Sequence, residues 1–419
     1  MSGQATPRRP GARRKHWVLA VALLVLAVGI GGETLARLLL VAPASADGCP
    51  NPIAPGWCRP SGAVFQPHPI LRWEYRPRVT ERVVMVGHPD GGFLFHTNSR
   101  GLRQDTEVIV PKPPGVFRIL VLGDEQTAGY VHNAETYPAQ LEARLRERGM
   151  TGVEVVNGAV AIYEAPWYPL WYAVHGRELQ PDLVIVGLCL GNDLANLTPP
   201  TEPLEDPDGT LRLAPTAQLR YQARLARDWL RDHSLFWRGL GDGSLLAAVQ
   251  HPGPPLVRRA ATTPAPLREC WGCWTQHFGQ QPWTSPERVT RTRAGLEAIL
   301  ARLERQVSRD GARLVVLPIP TKAMVEPDDE RQAIDAVIQF MGLSEEAVRS
   351  YDQPLAITLA AAADLGLPVI NPLAALQATA ASARLFYQRD WHLTPAGHHA
   401  LAEALAAALL DPALVPRQP

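Results

Sequence analysis

The chain has 419 residues, with 41 Lys+Arg against 41 Asp+Glu, 46% apolar residues, 40 prolines and five cysteines. Zero formal charge leaves no basic surplus to displace counterions from phosphates, which excludes nucleic acid as the main partner. The apolar content excludes a disordered chain, and the proline content excludes a seamless repeat or bundle and predicts stiff, irregular connections.

At the N-terminus Arg8, Arg9, Arg13, Arg14 and Lys15 precede an apolar run from Trp17 to Ile30, which resumes at Leu35. Positive charge ahead of an apolar segment holds that end in the cytoplasm and sends the following chain across the membrane. Two readings stand. An uncleaved anchor over 17–41 supplies the roughly 20 residues a span needs, with Glu33 and Arg37 near its outer end. A cleaved signal peptide would end at Ala44-Ser45-Ala46. The anchor is preferred, because that cleavage motif lies far beyond the apolar core. The expected organisation is a cytoplasmic basic tail over 1–16, a signal-anchor over 17–41 and an extracytoplasmic remainder. In an oxidising compartment the loop cysteines Cys49, Cys58, Cys270 and Cys273 read as disulfide partners rather than zinc ligands, with every pairing open. Cys189 sits in an apolar run and reads as a buried free thiol.

Residues 43–115 form a lead-in with short β-like pieces at 83–86 and 93–95. From 116 to 412 the texture alternates. Continuous apolar runs predict strands over 117–122, 153–160, 183–190, 313–319 and 367–370. Apolar spacing of three and four predicts helices over 137–148, 286–309, 327–341, 354–365 and 395–410. Such alternation predicts a parallel sheet covered by helices on both faces. An insertion over about 198–285 interrupts it, with a helix over 218–231. Its indoles, Trp229, Trp237, Trp271, Trp274 and Trp283, suit stacking on a carbohydrate. Trp167, Tyr168, Trp171 and Tyr172 have helical spacing and read as core.

Reactive groups in open α/β sheets gather beyond the C-terminal strand ends. Those ends carry Gly123-Asp124-Glu125, Asn157-Gly158-Ala159 and Gly191-Asn192-Asp193. A last block reads Asp390-Trp391-His392-Leu393-Thr394-Pro395-Ala396-Gly397-His398. In these four blocks, and in the lead-in Thr97 to Arg103, the sequence resembles the SGNH/GDSL hydrolase superfamily, particularly its membrane-anchored bacterial branch. The resemblance spans about Thr97 to Leu410. It implies a three-layer α/β/α, flavodoxin-like domain that hydrolyses or transfers acyl groups by a serine nucleophile. By position His392 is the general base, Asp390 its orienter and Asn192 the oxyanion-hole amide. The backbone N–H groups of residues 125 and 159 complete the hole.

The departure lies at the nucleophile, where Glu125 replaces serine. The second block departs as well, with Ala159 and Ile162 at positions where the superfamily has glycine. Three roles for Glu125 stand open. It can close the site by occupying donors beside His392, act as a carboxylate nucleophile or base, or join Asp124 and His392 around a cation. No metal or cofactor is expected. Asp193 is read as bonding its own turn, and His398 and His399 as helix-surface residues. The expected substrate is an acyl (acetyl) ester of an envelope or exported glycan, or a small ester. The alternative is an inactive relative that binds glycan or an envelope protein partner.

Overall fold

The computed structural model describes residues 29–34, 64–85, 87–199, 201–234, 285–328, 352–388, 390–411 and 414. They fall into two compact units, residues 1–48 with 215–262, and residues 49–214 with 263–419. Of the expected anchor only 29–34 is described, and it is helical. Among the described residues no helix is long and apolar enough to cross a membrane. Cys49, Cys58, Cys270, Cys273, most of the helix expected over 327–341, and Trp237, Trp271, Trp274 and Trp283 lie outside the described residues.

After four lead-in strands, β1 (Phe65–His68), β2 (Arg72–Tyr75), β3 (Thr80–Val84) and β4 (Gly92–His96), the larger unit is built on four parallel strands. These are β5 (Phe117–Leu122), β6 (Val153–Asn157), β7 (Leu183–Cys189) and β8 (Arg313–Ile319), in the order β8-β7-β5-β6. All seven residues of β7 are buried, as a strand covered on both faces requires. Alternate residues feed two cores. Leu120, Leu122, Val184, Val186, Leu314 and Val316 belong to one, and Ile119, Val121, Leu183, Ile185, Val315 and Leu317 to the other. The first core takes Leu296, Leu300 and Leu303 from the long helix Pro286–Arg309 and Ile357 from Gln353–Asp364. The second takes Leu141 and Leu145 from Tyr137–Glu147 and Leu401 and Leu405 from Pro395–Leu409. This is the expected three-layer α/β/α plan with a parallel sheet.

The strand expected over 367–370 shrinks to a single parallel bridge, Val316 to Val369. Val316 N–H bonds Pro368 O and Ile370 N–H bonds Val316 O, but Pro368 has no N–H to extend the ladder. The lead-in pairs as two antiparallel hairpins, Phe65–His68 with Arg72–Tyr75 and Thr80–Val84 with Gly92–His96. Its Tyr75, Phe93 and Phe95 join the first core, so it is part of the same folded body. Trp167, Tyr168, Trp171 and Tyr172 are buried in that core too.

Candidate active site

Residue 125 lies just past the C-terminal end of β5, where the strand order turns back on itself. Gly123 makes the turn feasible, since a Cβ there would sit 2.1 Å from Thr127 Oγ1. Asp124 then caps the short helix Glu125–Ala128, its Oδ1 accepting Gln126 N–H at 2.9 Å. This places Glu125 at the first helical position, 4% exposed.

The Glu125 carboxylate is held from the second block. Its Oε2 accepts Ile162 N–H at 2.8 Å, a charge-assisted bond. Ile162 adopts φ 71°, left-handed backbone that a β-branched residue enters at a cost of about 1–2 kcal/mol. The missing glycine is therefore replaced in identity but not in conformation. A backbone amide of the second block therefore meets the carboxylate. Ala159 is buried, and its N–H is engaged at 3.2 Å by Asn157 Oδ1. That bond takes up the donor the second block was expected to lend to an oxyanion.

The last block keeps its geometry. Asp390 Oδ1 accepts both His392 Nδ1–H and His392 N–H, the latter at 2.8 Å. A proton fixed on Nδ1 leaves Nε2 as the basic nitrogen. His392 is 1% exposed, with the Tyr130 ring set edge-on at 4.2 Å and the Trp391 ring at 4.7 Å. Downstream, Thr394 Oγ1 accepts Gly397 N–H at 3.1 Å and Pro395 opens the helix Pro395–Leu409. A Cβ on Gly397 would lie 2.1 Å from Leu385 O, which is why the motif needs glycine there.

Two residues that the sequence reading missed lock this block in place. Gln126 bonds on both sides of the histidine, its Nε2 donating to Trp391 O at 3.0 Å and its Oε1 accepting Leu393 N–H at 3.2 Å. Lys322, just past β8 and buried, donates from Nζ to Tyr387 O and Gln388 O at 3.1 Å each. So the histidine block is tied to the residue next to Glu125.

The floor of the site is acidic. Asp193 accepts Tyr168 O–H at 2.9 Å and Cys189 N–H at 2.7 Å, bonding its own turn. Burial, then the neighbouring carboxylate, raises the pKa of both Asp124 and Asp193 well above the ordinary range. Asn192 bonds the Asp124 side chain, is 7% exposed, and among the described residues its Oδ1 has no hydrogen-bond partner. Partial burial and the Glu125 charge push half-buried Glu164 up to about 7. Cys189 is a buried free thiol. His398 is not a surface residue: it shares a face with Leu401 and Leu405, is buried, and accepts Tyr137 N–H at Nδ1 (3.2 Å). Burial drives its pKa down to about 3. His399 is exposed, against Gln140.

Two histidine–carboxylate groups lie elsewhere, His68 with Glu74 and His175, and His88 with Asp90 and His132. In both, histidine Nδ1 atoms accept backbone N–H groups: His68 from Leu71, His88 from Asp90 and His132 from Leu94. The ring proton then belongs on Nε2, facing a carboxylate, whereas metal-bound imidazoles donate their second N–H. The set suits proton-mediated pairs.

The Asp390–His392 pair beyond a four-stranded parallel sheet defines a candidate site on an α/β protein. Residues 280–418, about a third of the chain, match a family described as ALGX: SGNH hydrolase-like domain, acetyltransferase AlgX. That stretch holds the histidine block but neither Glu125 nor Asn192. No curated protein matches the chain. Among solved structures it is similar to LAE5, an alpha/beta hydrolase enzyme from the metagenome of Lake Arreo, Spain, at 15% identity and TM-score 0.36, over 70% of this chain and 94% of that one. It is similar to a catalytic mutant of Axe2, an acetylxylan esterase from Geobacillus stearothermophilus, at 12% identity and TM-score 0.36, over 70% and 93%. It is also similar to the lipase/acylhydrolase from Enterococcus faecalis, at 12% identity and TM-score 0.37, over 73% and 100%. Likeness at this level does not bear on chemistry or substrate.

Proposed function

We propose that this chain works outside the cytoplasm on acyl, chiefly acetyl, esters of envelope or exported glycans, binding the acyl group without transferring it by the serine route. The observation that carries this is the bond from Ile162 N–H to the Glu125 carboxylate, which fills the place of a nucleophile with an anchored, buried anion. Acyl transfer needs a hydroxyl or thiolate to attack and donors to receive the oxyanion. Position 125 has no hydroxyl, and the Ala159 donor is engaged internally. Carboxylate attack would produce a mixed anhydride from a group whose Oε2 already accepts the Ile162 N–H. The acetyl class is supported by the match over 280–418 to a family described as acetyltransferase AlgX. The compartment is supported by the basic-then-apolar N-terminus.

A second reading, hydrolysis by water activated at His392, is favoured by the intact Asp390–His392 pair. One experiment separates them. The protein is incubated with an acetylated oligosaccharide, and bound ligand and released acetate are measured. Saturable binding is expected, weakened about fivefold by Asn192→Ala, with acetate release no higher than in His392→Ala. Release above that control would favour hydrolysis, and no binding would sink both readings.

A further inference from the structure

The smaller unit contains a 19-residue helix, Pro215–His233, whose composition is unusual for a water-facing element. Arg220, Arg224 and Arg227 recur at i, i+4 and i+7 and form one stripe. Leu219, Ala223, Ala226 and Leu230 recur at i, i+4, i+7 and i+11 and form the adjoining stripe, with Trp229 on its flank. The apolar side is in water: Leu219 is 75% exposed and Trp229 60% exposed. Arg224 lies over the Tyr221 ring at 5.5 Å, so that guanidinium runs along the helix surface.

A contact within the same unit places one end of this helix. Ser234 Oγ, one residue beyond the helix, donates to Glu33 Oε2 at 2.7 Å. Glu33 belongs to the helical piece 29–34, where the apolar N-terminal run first meets polar residues. An apolar stripe beside an arginine stripe, with an indole on the flank, is what a helix lying in a membrane interface requires. Apolar atoms enter the acyl boundary, guanidinium groups meet phosphates, and Trp sits at headgroup depth.

We propose that Pro215–His233 is an interfacial helix that lies on an anionic phospholipid surface, with Leu219 and Leu230 dipping below the headgroups, Trp229 at headgroup depth and arginines of the stripe (Arg220, Arg224, Arg227) pairing with lipid phosphates. The occupant is lipid rather than protein because charge and apolar area run as parallel stripes along about 28 Å of helix. The basic-then-apolar N-terminal run, whose charge pattern is that of a membrane-directed segment, belongs to the same unit.

The test is amide hydrogen exchange on the full chain in nanodiscs of phosphatidylcholine and of phosphatidylcholine mixed with phosphatidylglycerol. Exchange over 219–230 is expected to be slower in the anionic discs. Arg220→Gln, Arg224→Gln and Arg227→Gln together should reverse the slowing by about 100-fold, at about fivefold per arginine. Leu219→Glu should abolish protection in both lipids. Unchanged exchange in Pro286–Arg309 shows that the variants are folded. Exchange insensitive to both lipid charge and the arginines, or protection equal in the two lipids, would overturn the proposal; the latter would mean that protein covers the helix.

Discussion

The two ends of the site have diverged differently. At the histidine end the expected Asp390 contact on Nδ1 is joined by unforeseen ones: Gln126 bracketing the backbone, Lys322 holding the preceding turn, Gly397 at a close approach. At the nucleophile end the backbone survives while the chemistry is replaced. Glu125 occupies the first position of its helix, Ile162 keeps a glycine-like φ, and Ala159 turns its N–H inward. The histidine end is embedded in the fold through bonds that connect distant segments, so it persists with or without turnover. The nucleophile side chain is held by one backbone bond, and substitution there leaves the rest of the site standing.

Four perturbations sharpen or break that contrast, taken from the largest expected effect to the smallest. Glu125→Ser should bring ester hydrolysis above background, because base, orienter, residue 125 N–H and Asn192 all remain. The rate should stay roughly 10²–10³ below that of a complete hole, since the Ala159 donor is missing. Activity equal to the parent would locate the defect in the hole instead. Gln126→Leu strips partners from Trp391 O and Leu393 N–H and should lower stability by about 2–5 kcal/mol in urea unfolding. A loss under 1 kcal/mol, on the order of one ordinary hydrogen bond, would deny its bracing role. Ile162→Gly relieves the left-handed strain and should stabilise by about 0.5–1 kcal/mol, the conformational cost of the added chain entropy partly offsetting the gain. Destabilisation would mean that the Ile162 side chain packs more than its exposure suggests.

The smallest effect is a pH dependence. Glu164 is raised in the folded state to about 7, above its unfolded value. Its contribution to stability is therefore complete below the unfolded pKa and is lost as pH rises through about 7. Melting temperature should fall across that window in the parent and fall less in Glu164→Gln. Parallel curves would show that burial and the Glu125 charge do not raise Glu164 in the folded state. Solvent reaching this half-buried group keeps the effect small.

How much of this was legible in the sequence follows from where each signal lies. Strands β5, β7 and β8 read as continuous apolar runs because both faces of a parallel sheet are covered, and their bounds agree with the structure to within a residue. Phe65–His68 and Arg72–Tyr75 escaped notice, since Pro67, the left-handed Arg72 and their brevity erase any alternation. The helix Leu373–Ala380 was missed as well, because it buries only Leu376 and shows no stripe. Blocks at strand ends were legible because type and order both repeat a known pattern. Gln126 was not, for its partners lie more than 260 residues away and a glutamine after Glu125 carries no local signal. His398 was misread since an adjacent pair of histidines looks polar, whereas only one faces the core.

The central claim is that the base remains competent while the serine route is closed. Its most direct test is the rate of p-nitrophenyl acetate hydrolysis for the parent, His392→Ala, Glu125→Ser, and Glu125→Ser combined with His392→Ala. The account predicts that the parent equals His392→Ala, that Glu125→Ser exceeds both, and that adding His392→Ala returns it to background. A parent rate that already depends on His392 would contradict it.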